Sequence, residues 1–123
     1  MTLQELYAQI GGDYDQAVKR LMMESYVGMF IVRFLNDTSC QSVHDAWAAG
    51  DEKATFHAAH TAKGVCANLS LTKLADLSSQ ITEALREGNE ALRAKTDVDA
   101  LVAELDEAYA ATVAAIKVYS AQK

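Results

Sequence analysis

The sequence predicts an all-α fold, an antiparallel up-and-down four-helix bundle with an extra short N-terminal helix, and three observations predict it. There is no proline in the 123 residues, so uninterrupted helices are permitted throughout. Half of the residues are hydrophobic and only 7% are aromatic. Apolar residues also recur at helical spacing behind helix-start signals, with short connections that favour antiparallel neighbours. At this length one domain spanning residues 1–123 is expected.

Each element has its own signal. Thr2 and Glu5 form a capping box for a short lid helix that stops at Gly11-Gly12. Asp13, with Gln16 three residues on, opens a long stretch in which Val18, Leu21, Met22, Tyr26, Met29, Phe30 and Val32 to Leu35 repeat at helical spacing until Asn36-Asp37. Met22, Met23 and Met29 are expected in the core, and Gly28 is expected to mark a bend or a close contact. Thr38 to Gln41 reads as a second capping box, before a short helix that Gly50 ends and Trp47 anchors by packing. Asp51 caps the next helix. From Ser70, the residues Leu71, Leu74, Leu77, Ile81, Ala84 and Leu85 form one apolar stripe before Gly88-Asn89. A last helix follows Thr96, with Asp99 three residues beyond, and is expected to bury Val98, Leu101, Val102, Leu105, Ala108, Tyr109, Thr112 and Ile116. Met1 and this complete helical series favour a free-standing protein, and helices that bury their own stripes favour a monomer.

Composition excludes several functions. A formal charge of −6 and a pI near 4.9 argue against nucleic acid, because phosphate-backbone binding needs a basic surface. The N-terminus lacks the pattern of a secretion signal, and the apolar run from Tyr26 to Val32 is too short to span a bilayer, so a cytoplasmic location away from membranes is expected. Cys40 and Cys66 stand in separate segments without a CxxC pair and read as buried thiols kept reduced. No phosphate-binding Gly-rich loop occurs, so the chain is not expected to use ATP itself.

The helix after Asp51 is the informative one. At about 100° per residue, Ala58, Ala62, Val65, Cys66 and Leu69 share an apolar arc expected to face the core. His60, Gly64 and Ala67 lie away from it, Lys63 stands at one flank, and Phe56 is one turn before the histidine. Glycine in a helix interior costs about 0.5–1 kcal/mol relative to alanine, so Gly64 needs a compensating gain. Two gains are open: access of a partner to the imidazole, with Lys63 beside it for an anion, or tight packing within the bundle.

The stretch AHTAKGVCANLSLTKLADL, Ala59 to Leu77, resembles the signature of histidine-containing phosphotransfer (HPt) domains of phosphorelays. The similarity is strongest from Phe56 to Gly88, and the helix order suits the family along essentially the whole chain. The resemblance implies that His60 is the phosphorylated histidine, Lys63 the lysine near the phosphoryl group, Gly64 the access glycine and Arg86 a basic position on the following helix. Ala62 replaces the usual leucine, Ser70 stands where glycine usually ends the histidine helix, and Val65 and Thr82 occupy positions where some relatives carry hydroxyl or amide groups. Ser70 is a candidate to cap the next helix instead.

What the resemblance implies is phosphoryl transfer from a receiver-domain aspartate to His60 and on to another receiver, with no kinase activity of the chain's own. Response-regulator receiver domains and a hybrid sensor histidine kinase would be the partners, the receiver would bring the Mg²⁺, and no cofactor would be bound here. Phe56, His57, Ala67 and parts of the Leu71–Glu87 helix would supply docking contacts. Arg86 either assists the phosphate or pairs with Glu83 or Glu90 at helical spacing. The rival from another class is a helical adaptor that binds receivers or other proteins without being phosphorylated. A metal site on His57 and His60, completed by His44 or a carboxylate, lacks the second Glu-x-x-His element of a di-metal bundle. His44, beside Asp45 and Trp47, reads as structural.

Overall fold

A computed structural model describes residues 1–122. The helices are α1 (Leu3–Gln9), α2 (Tyr14–Leu21), α3 (Glu24–Arg33), α4 (Ser39–Ala48), α5 (Glu52–Asn68), α6 (Thr72–Leu85), α7 (Glu90–Lys95) and α8 (Val98–Ala121), with one 3₁₀ turn over Phe34–Asn36. There is no strand among the described residues. Helices α4, α5, α6 and α8 form the bundle: α5 packs between α4 and α6, and α8 closes the ring against both. The loops from α4 to α5 and from α5 to α6 span only residues 49–51 and 69–71, which forces consecutive helices to run antiparallel. One core of buried apolar side chains runs through the ring, including Val43, Ala62, Cys66, Leu74, Ile81, Leu105 and Ile116.

Several capping signals act as read. The Thr2 hydroxyl accepts from the Glu5 amide while Glu5 accepts from the Thr2 amide, and Asp13 and Asp51 cap α2 and α5 through their carboxylates. Others differ. Thr38 makes no side-chain cap; instead the Asp37 carboxylate accepts from the Ser39 amide at 2.9 Å. The last helix is capped by Asp97, which accepts from the Ala100 amide, while the Thr96 hydroxyl donates to the Leu92 carbonyl of α7, a helix the sequence reading took as connection.

The largest correction concerns the stretch from Asp13 to Leu35, which is two helices. The chain reverses at Met22, in the left-handed region with φ of 76°, and α3 runs unbroken through the buried Gly28. Val27 and Ile31 of α3, with Phe34 of the following turn, are the buried apolar residues here, so Met22, Met23 and Met29, expected in the core, are exposed instead, as is Tyr26. Met22 is 81% exposed.

Ser70 shows how α5 ends without glycine. It adopts the left-handed conformation, with φ of 54°, that glycine takes most easily. The Leu71 amide donates to the Cys66 carbonyl at 2.9 Å and the Ser70 amide to the Ala67 carbonyl at 3.0 Å, the paired bonds of a Schellman motif. Its hydroxyl does not cap α6; it is buried without a partner. The N-terminal turn is laid over this corner. The Tyr7 hydroxyl donates to the Leu69 carbonyl at 2.8 Å, the Asp13 amide to the Ser70 carbonyl at 2.9 Å, and the Lys73 amide to the Gly11 carbonyl at 3.1 Å.

Candidate functional site

The Asp51 cap starts α5 and the Ser70 turn ends it, so the residues between hold one helical register. Thr55, Ala59, Ala62 and Cys66 are fully buried. The core line is thus turned by about one residue from the expected arc, with Ala58 and Val65 at its edge. This rotation leaves His60 and Gly64 exposed and Lys63 half-buried at the flank.

Gly64 settles one of the open alternatives. A methyl group built on it meets no atom within 4 Å, so the glycine is not needed for packing within the bundle. What it leaves is open space one turn beyond the imidazole. Among the described residues, neither His60 nor Lys63 has a hydrogen-bond or ion-pair partner. Lys53, two turns before His60, is likewise unpaired, whereas Glu52 pairs with Arg93 at 3.3 Å and Glu83 with Arg86 at 2.9 Å. An acidic chain therefore presents free ammonium groups along the histidine helix.

Phe56 is the hub of the surrounding rings. It lies nearly parallel to His60, at 11° with centroids 6.2 Å apart, and meets the edge of His57 at 5.3 Å and 68°. The Arg86 guanidinium carbon stands 5.3 Å from the Phe56 centroid. Arg86 pairs with Glu83 and not with Glu90, because α6 stops at Leu85 and the chain turns extended at Arg86, taking Glu90 out of helical register. A cleft of about 660 Å³ beside these rings is bordered by Lys53, Phe56, Leu85, Arg86 and Glu87.

Thr82 and Val65 do not supply groups to the imidazole. The Thr82 hydroxyl is buried and donates to the Ser78 carbonyl at 2.7 Å, and Val65 lines a separate groove with Phe30 and Leu69. Ala67 is half-buried, with the Arg20 guanidinium donating to its carbonyl. That bond ties the end of α2 to the histidine face, and Met22 and Met23 follow directly. Met22 and Met23 begin an exposed apolar set that continues with Tyr26 and Met29 along α3. Sequence reasoning missed it because α3 carries two apolar stripes, and nothing in the periodicity says which is buried.

The remaining singled-out residues lie elsewhere. His44 pairs with Asp106 at 2.7 Å, beside a groove between α4 and α8, and its pKa is raised by the hydrogen bond to that carboxylate and by its charge, with Asp45 adding. Trp47 is half-buried and donates its indole N–H to Asp99 at 2.7 Å. Cys40 and Cys66 are both buried and come together in the core; hydrogen bonding to Cys40, then burial, pushes the Cys66 thiol up. Among the described residues no three His, Cys, Asp or Glu side chains converge to hold a metal, and no helix is long and apolar enough to cross a membrane.

A family model described as the Hpt domain matches residues 29–114, which include α4, α5, α6 and most of α8. Comparison with curated proteins and with solved structures yields no match. The match takes in the exposed histidine, the open glycine beyond it and the four bundle helices that carry them, and it extends over more than half of the sequence. On that ground the chain belongs to the Hpt domain family, whose members carry out histidine phosphotransfer in phosphorelays.

Proposed function

We propose that His60 is the phosphoacceptor, taking a phosphoryl group from the aspartyl phosphate of one receiver domain and returning it to the aspartate of another. One observation carries the reading: among the described residues His60 stands exposed and without a hydrogen-bond partner, between the half-buried, unpaired Lys63 and the open space at Gly64. A neutral imidazole keeps an unshared pair on one ring nitrogen and needs no activating base. That pair forms the N–P bond as the acyl P–O bond breaks, and the electrons of the broken bond stay on the receiver's carboxylate. The other ring nitrogen keeps its proton, so the phosphorylated ring is cationic and a good leaving group for the return transfer.

Phosphoryl transfer depends mainly on positioning and on neutralising the equatorial oxygens. Lys63 is suited to the second task and the bare surface at Gly64 to the first, since it lets a receiver approach in line. Mg²⁺ would come with the receiver. The docking face would run from the Phe56 ring cluster along Gly64 and Ala67 toward the end of α2, where the exposed Met22 and Met23 follow Arg20. Exposed apolar side chains in a cluster mark interaction surfaces better than they mark solvated ones.

Incubation with a receiver phosphorylated with labelled phosphate tests the reading. The chain should gain an acid-labile, base-stable adduct, and His60→Gln should abolish it. A wild-type chain that binds the receiver but takes up no label would be an adaptor, and the proposal would fall.

A further inference from the structure

The Phe56 ring is placed for more than bordering a docking surface. It lies one helical turn before His60 and nearly parallel to it, at 11° and 6.2 Å, within the range of an offset stack. It is itself held from α6. Arg86 places its guanidinium carbon 5.3 Å from the ring centroid and is anchored in turn by both oxygens of Glu83, at 2.9 and 3.2 Å. His57 closes on the ring edge at 5.3 Å. A continuous line of contacts thus runs from Glu83 through Arg86 and Phe56 to the imidazole.

An exposed histidine on a helix has about four orientations available: two χ1 wells, since the third clashes with the preceding turn, and roughly two positions of χ2. Among the described residues no hydrogen bond or ion pair selects one of them for His60, and its ring contact is with Phe56. We propose that Phe56 is a positioning residue, fixing the plane of the His60 imidazole before a partner arrives, with Arg86 and Glu83 holding the Phe56 ring in place. This rests on His60 being the phosphoacceptor. A residue that served only as a docking contact would have no need to lie parallel to the nucleophile or to be fixed from a second helix.

The experiment compares wild type, Phe56→Leu and Phe56→Tyr, using phosphoramidate as a small phosphoryl donor that requires no docking surface. In wild type, the His60 ring protons should show the ring-current shift of a stacked phenyl group and side-chain couplings of a single rotamer. Phe56→Leu should give averaged couplings and about fourfold slower uptake, the loss expected when one orientation in about four is productive. Phe56→Tyr should restore both. Averaged couplings in wild type would overturn the proposal. So would a leucine variant that keeps the wild-type rate with phosphoramidate and loses only receiver-driven transfer, since Phe56 would then be a docking contact alone. Should the leucine variant lose its helical circular dichroism, the wild-type couplings and shifts decide by themselves. Failure of the underlying reading is separate: wild type would take up no phosphoryl group at all, or His60→Gln would take up as much.

Discussion

Adding a methyl group at Gly64 should make this protein more stable and a poorer acceptor from receivers, and both changes come from the same empty space. The methyl would meet no atom within 4 Å, so Gly64→Ala carries no steric penalty. It removes the backbone freedom that glycine contributes to the unfolded chain, worth about 1 kcal/mol in a helix interior. Unfolding entropy of about 2.1 cal/mol/K per residue gives about 0.26 kcal/mol/K for a chain of 123 residues, so the melting temperature should rise by about 4 °C. Gly64→Leu should keep most of that gain. Side chains four apart on a helix stand about 5–6 Å apart at Cβ, so an alanine narrows the approach to His60 and a leucine covers it. Receiver-driven transfer should fall several-fold for alanine and about 100-fold for leucine, the scale expected when reacting atoms are displaced by about 1 Å. Uptake from phosphoramidate should change far less. Calorimetry and stopped-time labelling on the same preparations check both halves. A lower melting temperature for Gly64→Ala would mean that Gly64 is a packing seam, and a leucine variant that exchanges phosphate with receivers at the wild-type rate would refute the access argument.

Four further outcomes follow from particular contacts. Ser70→Gly should raise stability by about 1 kcal/mol in urea unfolding, because it relieves a left-handed serine and removes a buried hydroxyl without a partner, gains only partly offset by glycine's freedom when unfolded. Gly12→Ala should cost about 1–3 kcal/mol in the same assay, since its Cβ would lie 2.6 Å from Tyr7 Cδ2 and 3.1 Å from the Ser70 carbonyl, and Tyr7 is held by its own hydrogen bond. The raised His44 pKa means that its pairing with Asp106 stabilises the fold fully below the ordinary histidine range and is lost as pH rises through the raised value. The stability difference between wild type and Asp106→Asn should therefore be present in mildly acidic buffer and vanish in alkaline buffer, with the His44 titration moving down in the variant by NMR. A Met23→Ser, Tyr26→Ser double variant should change stability by less than about 0.5 kcal/mol per site and weaken receiver binding by about tenfold or more in calorimetry.

Most of the bundle was legible because its signals are local. The Asp13 and Asp51 caps, the stop at Gly50 and the Leu74, Leu77, Ile81 stripe each depend on residues within two turns of one another. The reversal at Met22 was not legible: no glycine or proline marks it, and the left-handed conformation falls on an exposed methionine. The start of α8 was misread by one residue because Thr96 and Asp97 are both good caps, and the choice is made by α7, whose Leu92 carbonyl takes the Thr96 hydroxyl. At the site, the spacing put His60 and Gly64 away from the core arc with Lys63 at its flank, but the Phe56 stack, the Arg86 clamp and the Arg20 tie join separate helices or depend on side-chain rotamers.

The two halves of α5 are treated very differently by the rest of the chain. Its C-terminal corner carries the Schellman bonds, the Tyr7 and Asp13 bonds to Leu69 and Ser70, and the Arg20 bond to Ala67. Around His60, one turn to either side, no hydrogen bond from another helix is made to the described residues. Opening free energies are highest where contacts are dense and lowest where they are few, so this distribution places a rigid anchor next to a surface that a partner can reach without unfolding anything. It also gives α1 and α2 a purpose beyond covering the core. They fix the corner that ends the histidine helix, and Arg20 ties the end of α2 to that helix. Swapping the Tyr7 hydroxyl for hydrogen should therefore act at a distance: Tyr7→Phe should speed amide exchange at Leu69 to Leu71 while leaving the exchange of the His60 turn, which has no tie to that corner except the helix itself, within about twofold of wild type.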